Sequence, residues 1–343
     1  MRSLLRKFFR FVFKLGLVVA LLAAIGGYFA WRHFEAFADA PARAPEGTTI
    51  VVARGDSFVQ VLGKLRAAGV EAGHDLEWKA LATRMQALPR IQVGEYALDP
   101  ALTPRQLIEK LVRGDVIRYR FTIVEGWSMR DLRAALARDA VLENDLAALD
   151  DAELMIALGR EGVPAEGRFL PETYLYTRGE TAVSLLDQAA DAMDVALADA
   201  WAARQPDLPL ETPEQLLTLA SIIEKETGKA SERPEIAGVF VRRLRIGMRL
   251  QTDPTVIYGL GAAFDGNLRR RDLETDTPFN TYTRFGLPPH AIAMPGKAAL
   301  MAAAQPLDGE TLYFVARGDG SHYFSRSYAE HLQAVRRYQL GGR

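Results

Sequence analysis

The chain has 343 residues, a net charge of -1, no cysteine and five histidines. That length accommodates a membrane anchor and two modest domains, and the near-neutral balance gives no case for nucleic acid as a partner. Without thiols there are no disulfides, no thiol catalysis and no Cys-ligated metal, and His33, His74, His290, His322 and His331 form no H-E-x-x-H or similar ligand spacing, so neither metal nor cofactor is expected.

The N-terminus is basic. "MRSLLRKFFRFVFK" carries Arg2, Arg6, Lys7, Arg10 and Lys14 and no acid, and the uncharged run "LGLVVALLAAIGGYFAW" follows at 15–31. As a helix that run rises about 25 Å, near the short end of a membrane span. Phe11 to Phe13 extend it, with Lys14 snorkelling to the interface. The reading is a basic tail at 1–10, a transmembrane helix at 11–31 and a linker at 32–47. Basic residues ahead of a span hold that end in the cytoplasm, so the remainder lies outside and is exported. A cleaved signal peptide is the rival, with "AFA" at 36–38 and "ADA" at 38–40 as cleavage sites. The long apolar run, and Arg32, His33 and Glu35 between it and those sites, favour the retained anchor.

Residues 48–118 read as one small α/β module. A β-branched run at 48–52 leads through a Gly-Asp-Ser turn into a helix with Val61, Leu62 and Leu65 on one face. Thr103 and Pro104 start a second helix that Gly114 ends. A related pattern recurs 71 residues on: Gly55, Ser57, Leu65 and Val70 match Gly126, Ser128, Leu136 and Val141. This is either a repeat or convergence on a common strand–turn–helix unit; two copies do not make a solenoid. Residues 130–224 are mostly helical, broken by the loop "EGRFLPETYLY" at 166–176. Beyond 245 the chain turns to short strands and loops before a C-terminal amphipathic helix. A helical block followed by a strand- and loop-rich block argues an α+β catalytic domain over 119–343.

Chemistry concentrates around "LLTLASIIEKETG" at 216–228. Thr212 and Pro213 start a helix that is apolar on all sides, hence buried. Glu224 shares a face with Leu217, Ala220 and Ser221. Apolar surroundings and the helix C-terminus would both disfavour its charge, which suits an acid that protonates a glycosidic oxygen. The alternative is an ion pair with Arg233, Arg242 or Arg243. Lys225 and Glu226 are assigned to solvent. Asp253, in "LQTDPTVIYG", is a second carboxylate or a turn-former ahead of Pro254. In "FNTYTRFGLPPHAIAMPG" at 279–296, Asn280 and Tyr282 offer groups suited to sugars, or belong to a structural loop. Glu166, Glu172 and Tyr174 sit in a cleft wall or a surface loop, and His322 reads as a hydrogen-bonded structural residue.

"ASIIEKETG", "RLRIGMRLQTDPTVIYG", "NTYTRFGLPP" with "AIAMPG", and "LYFVARGDGSHYFS" occur in that order. Together they closely resemble the endolytic murein transglycosylases of the YceG-like family, over residues 48–343 in layout. Two positions depart: His290 stands where Gly commonly follows "GLPP", and Met294 where a small or polar residue is commoner before "PG".

The resemblance implies a LysM-like module at 48–118 and Glu224 as the acid/base. It implies peptidoglycan strands as substrate, cut internally, near peptidoglycan synthases. Glu224 would protonate the MurNAc–GlcNAc oxygen, then take the proton of the muramoyl 6-hydroxyl as it closes a 1,6-anhydro ring. Gln251, Asp253, Asn280 and Tyr282 would position sugar. Two other readings remain: a hydrolytic muramidase with Asp253 as base, and a membrane-tethered peptidoglycan-binding scaffold without chemistry.

Overall fold

The computed structural model describes residues 2–341. The chain divides into two compact units, one up to Tyr119 and one from Arg120 onward.

The first unit opens with helix α1 (Arg2–Asp39). Its stretch 6–39 is long and apolar enough to cross a membrane, and side chains from Phe8 to Trp31 are exposed, which fits a single membrane anchor. Strand β1 (Thr49–Val52), helices α2 (Phe58–Ala67) and α3 (Asp75–Arg84), strand β2 (Gly94–Ala97) and helix α4 (Pro104–Arg113) follow. β1 and β2 pair antiparallel, with Thr49 opposite Ala97 and Val52 opposite Gly94. Trp78, Tyr96, Leu65 and Ile108 fill the core between this ribbon and the helices. Residues 32–47, expected as a linker, are partly built into this unit. α1 continues to Asp39, Phe37 packs edge-on to Trp78 at 5.7 Å, and Ala38, Ala42 and Ala44 are buried. Composition suggested a tether because alanine and proline are common in both settings; here the small side chains let the backbone lie close to α4, with Ala42 N–H bonded to Leu102 O at 2.8 Å.

The second unit contains strand β3 (Arg118–Thr122, reaching across the division), helices α5 (Met129–Leu136) and α6 (Asp151–Ala157), strand β4 (Thr173–Thr177), and helices α7 (Ala182–Ala202), α8 (Pro213–Glu226) and α9 (Arg233–Arg245). Helices α10 (Asp253–Leu260), α11 (Arg270–Glu274) and α12 (Lys297–Ala304), strands β5 (Tyr313–Ala316) and β6 (His322–Ser325), and helix α13 (Tyr328–Tyr338) complete it. β3 pairs with β4, and β5 with β6 in an antiparallel hairpin. The fold is mixed helix and sheet, with few strands. Residues 253–260, expected as turn and strand, are helical. Thr252 is extended and Pro254 falls in the first turn, where its missing N–H costs nothing.

The matched units at offset 71 share local geometry. Gly55 and Gly126 both take positive φ (89° and 78°), and Ser57 and Ser128 both cap the following helix through a reciprocal capping box.

α8 is the centre of the core. All eight residues from Leu216 to Ile223 are buried, among α7, α9, α10 and α12. Thr212 caps its start, accepting from Gln215 N–H. Phe240 of α9, fully buried and edge-on to Phe314 at 5.8 Å, joins this core to the β5–β6 hairpin. Phe240→Ala should cost about 3–5 kcal/mol, read as a lower urea midpoint with the slope unchanged.

Candidate active site

The last turn of α8 carries two acids that face different surroundings. Glu224 Oε1 accepts from Arg233 Nη2 at 3.0 Å, and Oε2 from the Gly296 N–H at 2.9 Å. Arg233 also stands 3.6 Å from Glu125 Oε2. One turn earlier, Ser221 Oγ accepts from Ile292 N–H at 3.0 Å and donates to Thr218 O at 2.7 Å. Ser221 and Glu224 thus clamp the 291–296 segment to α8. Met294 N–H to Trp127 O (2.7 Å) and Gly126 N–H to Met294 O (2.9 Å) clamp the other side of that segment. A Cβ at Gly296 would fall 2.0 Å from Glu125 Oε1, so a larger residue there requires the Glu125 side chain to move. The expectation for Glu224 is corrected on one point: its side chain, 4% exposed, is not in an apolar pocket but meets Arg233 and a backbone donor, so the buried carboxyl and the charge pair expected of it are both present.

Glu226, assigned to solvent from the sequence, is the larger correction. It opens on a cavity of about 430 Å³ that Gln251, Asp253 and Tyr282 also line, together with Arg243 and the Tyr313–His331 wall. Burial pushes the Glu226 carboxyl up to about 7, with the Thr252 hydroxyl and Arg243 pulling it down and Asp253 adding to the rise. Tyr282 Oη donates to Asp253 Oδ1 at 2.5 Å, and burial pushes the Tyr282 phenol far above its ordinary value. Arg243 is pinned by the carbonyls of Leu250 (2.6 Å) and Leu312 (2.7 Å). A carboxyl that holds its proton near neutrality, a second carboxylate and a fixed guanidinium around one cavity make a site capable of acid catalysis.

Gln251 stands at φ 49° without being glycine, a conformation that costs about 1–2 kcal/mol. A buried hydroxyl network holds it there: Gln251 N–H donates to Thr281 O (3.2 Å), Thr252 N–H to Thr281 Oγ1 (3.1 Å), and the Thr255 and Thr281 hydroxyls are 2.9 Å apart. Thr252, Thr255 and Thr281 were not singled out by sequence; a hydroxyl's burial leaves no mark on periodicity.

Glu224 does not line the cavity, so the structure does not bring it together with Gln251, Asp253 and Tyr282 there. Asn280 is fully buried. Its Nδ2 reaches the carbonyls of Thr275 (2.7 Å), Leu273 (3.0 Å) and Asp272 (3.2 Å), and its Oδ1 accepts from Tyr282 N–H (2.8 Å). That amide shapes the loop and has no free face for a ligand. The His290 ring packs on Phe279 and Tyr258 at 4.9 and 5.9 Å, and Met294 is fully buried, so both departures serve the loop's interior.

Residues 166–170, Tyr174 and Tyr176 also turn inward, whereas Glu172 is exposed. Glu166 accepts from the Met129 N–H that starts α5, at 3.0 and 3.1 Å. Burial raises its carboxyl to about 7, against the Met129 and Tyr258 hydrogen bonds. The folded value lies above the unfolded one, so the folded state keeps a proton the unfolded chain releases. Stability is complete below about pH 4.5 and declines as pH rises toward 7, by up to about 3 kcal/mol. Urea unfolding at pH 5 and 7.5 should show this fall, and Glu166→Gln should shrink it; an equal fall in the variant would refute the assignment.

A family model described as the YceG-like family matches residues 50–337. An endolytic murein transglycosylase of Bacillus subtilis (strain 168) is 31% identical over 264 residues, 72% of this chain and 73% of that protein. One of Streptococcus pneumoniae serotype 2 (strain D39 / NCTC 7466) is 26% identical over 95% of this chain, which spans 64% of the streptococcal protein. Among solved structures, a YceG-like protein of Listeria monocytogenes superposes with a TM-score of 0.55 at 28% identity, covering 83% of this chain and 98% of that one.

Proposed function

The chain belongs to the YceG-like family, and from that premise we propose that it is a membrane-anchored endolytic lytic transglycosylase of peptidoglycan, with Glu224 as its acid and base. The relatives named as endolytic murein transglycosylases support the reaction class. The observation that carries the residue is the placing of Glu224 at the end of the buried helix α8, 4% exposed, with its carboxyl oriented by Arg233 and the Gly296 N–H.

In this reading Glu224 protonates the oxygen between MurNAc and GlcNAc as its bond to C1 breaks. The substrate's own N-acetyl group stabilises the positive charge at C1, and the 6-hydroxyl of the same muramoyl unit closes the anhydro ring as the Glu224 carboxylate takes its proton. No water is added, and exclusion of water protects that outcome. Gln251 and the Asp253–Tyr282 pair position sugar, and Arg233 balances the carboxylate on Glu224 between the two steps. The basic N-terminus keeps α1 in the inner membrane with the larger unit in the periplasm. The small unit, LysM-like in this reading, holds glycan near the membrane, where cutting beside a synthase would end strand growth.

A second reading rests on Asp253, which shares the cavity with Glu226. With Asp253 as a base activating water, the protein would be a muramidase. Its product would be heavier than the anhydro form by one water.

Full-length protein in detergent, incubated with peptidoglycan strands and followed by mass spectrometry, separates these outcomes. Glu224→Gln, which keeps an acceptor for the Arg233 and Gly296 donors, should abolish cleavage while the protein stays folded, and Glu226→Gln should still cut strands. Glu224→Gln cutting as fast as wild type would sink the assignment, and a hydrated product would select the muramidase.

A further inference from the structure

Glu224 cannot balance Arg233 through the whole reaction, because it has no charge to offer while it carries the proton. We propose that Glu125 takes the Arg233 guanidinium in that interval and returns it when the Glu224 carboxylate forms. Glu125 is then a positioning residue for the acid; this rests on the transglycosylase reading with Glu224 as the acid.

Arg233 differs from the other arginines of its helix. Its Nη2 lies 3.0 Å from Glu224 Oε1 and 3.6 Å from Glu125 Oε2, so one nitrogen stands between two carboxylates. The side chain is only 11% exposed, and an enclosed charge left without a counter-charge is costly. Among the described residues its one hydrogen bond is to Glu224, and its Nε is buried without a partner. Arg242, by contrast, donates to Thr311 O and Thr311 Oγ1 at 2.7 Å each and to Leu307 O at 2.9 Å. Arg243 donates to Leu312 O at 2.7 Å and Leu250 O at 2.6 Å. Carbonyls pin those two guanidinium groups in place. Arg233 is held by carboxylates alone, and so its position follows their charge.

Glu125 is seated to receive it. It stands in the loop after β3, where Gly126 N–H donates to Met294 O at 2.9 Å and Lys225 Nζ donates to Gly126 O at 3.0 Å. Those bonds fix the loop against both the last turn of α8 and the segment leading into α12. The Glu125 carboxylate lies against Gly296, where a Cβ would fall 2.0 Å from Oε1. Gly296 is also the residue whose N–H holds Glu224 Oε2. The Glu125 side chain is 48% exposed, so water stabilises its charge while Arg233 is paired with Glu224. No proton moves to or from Glu125. Only the guanidinium shifts, by about 0.7 Å, to turn the 3.6 Å approach into a charge-assisted hydrogen bond of about 2.9 Å. The Arg233 charge is then balanced both before the leaving oxygen takes the Glu224 proton and after.

The test uses full-length protein in detergent. Glu224→Gln is neutral, like the protonated acid. In that background Glu125→Gln should lower the melting temperature by about 2–4 °C more than it does in the wild type, where Arg233 still has Glu224. On peptidoglycan strands, with anhydro product counted by mass spectrometry, Glu125→Gln should lower kcat about tenfold. KM should be unchanged and the anhydro product kept, and Glu125→Asp should recover part of the loss. The proposal is overturned if Glu125→Gln costs the same melting temperature in both backgrounds, or if it leaves kcat at the wild-type value. A raised KM with kcat intact also overturns it, and makes Glu125 a sugar contact instead. A wild-type protein that releases no anhydro ends brings down the transglycosylase reading; the melting comparison needs no substrate and still decides whether Arg233 changes partner.

Discussion

The larger unit depends on the complete burial of α8. A helix apolar on every side cannot lie on a surface, so α7, α9, α10 and α12 must surround it. That enclosure has a consequence at the helix end, where the apolar sequence stops and "EKE" begins. Two carboxylates are carried into the interior by the same helix, and each must find compensation there or keep its proton.

They find opposite solutions. Glu224 meets a guanidinium and a backbone N–H, and so becomes a tie between α8, α9 and the segment leading into α12. Glu226 meets one hydroxyl, a more distant guanidinium and a second carboxylate, and compensation falls short. The two acids are also linked mechanically. Ser221 and Glu224 fix one face of the helix turn, and that turn sets the direction in which Glu226 points.

The buried helix was legible because a run from Leu216 to Ile223 has only one physical home. The choice between its two acids was legible in part. Leu217, Ala220 and Ser221 stand seven, four and three residues before Glu224; Leu219, Ile222 and Ile223 stand at the same spacings before Glu226. Periodicity therefore marks both as inward, and the second set is the more apolar. What the sequence does not carry is which arginine lies opposite, because Arg233 and Arg243 reach α8 from different ends of α9. Gln251, Asp253 and Tyr282 share a cavity as their polar chemistry suggested, whereas Asn280 closes three carbonyls of its own loop. Side-chain chemistry names what a residue can bind and leaves open whether the backbone claims it first. The helix at 253–260 was missed for a related reason: Asp-Pro begins turns and helices alike, and only the burial of Thr252 and Thr255 in the folded chain decides between them.

Small residues also explain how the anchor is joined to the first unit. If composition alone ruled, the stretch after Trp31 would be a loose tether. Instead α1 runs eight residues further, about 12 Å at a helical rise, before it ends at Asp39. Glu35 bridges Arg84 of α3 and Arg105 of α4, and Asp39 pairs with Arg105 at 2.9 Å. The Arg84 and Arg105 hydrogen bonds hold the Glu35 and Asp39 carboxyls below the usual range. Exposed pairs of this kind contribute little stability each, but they fix the direction in which α1 leaves the small unit, and Phe37 against Trp78 fixes its rotation. A helix held in both respects transmits orientation as well as attachment. The first unit is therefore seated on α1 at a set angle rather than swinging from it.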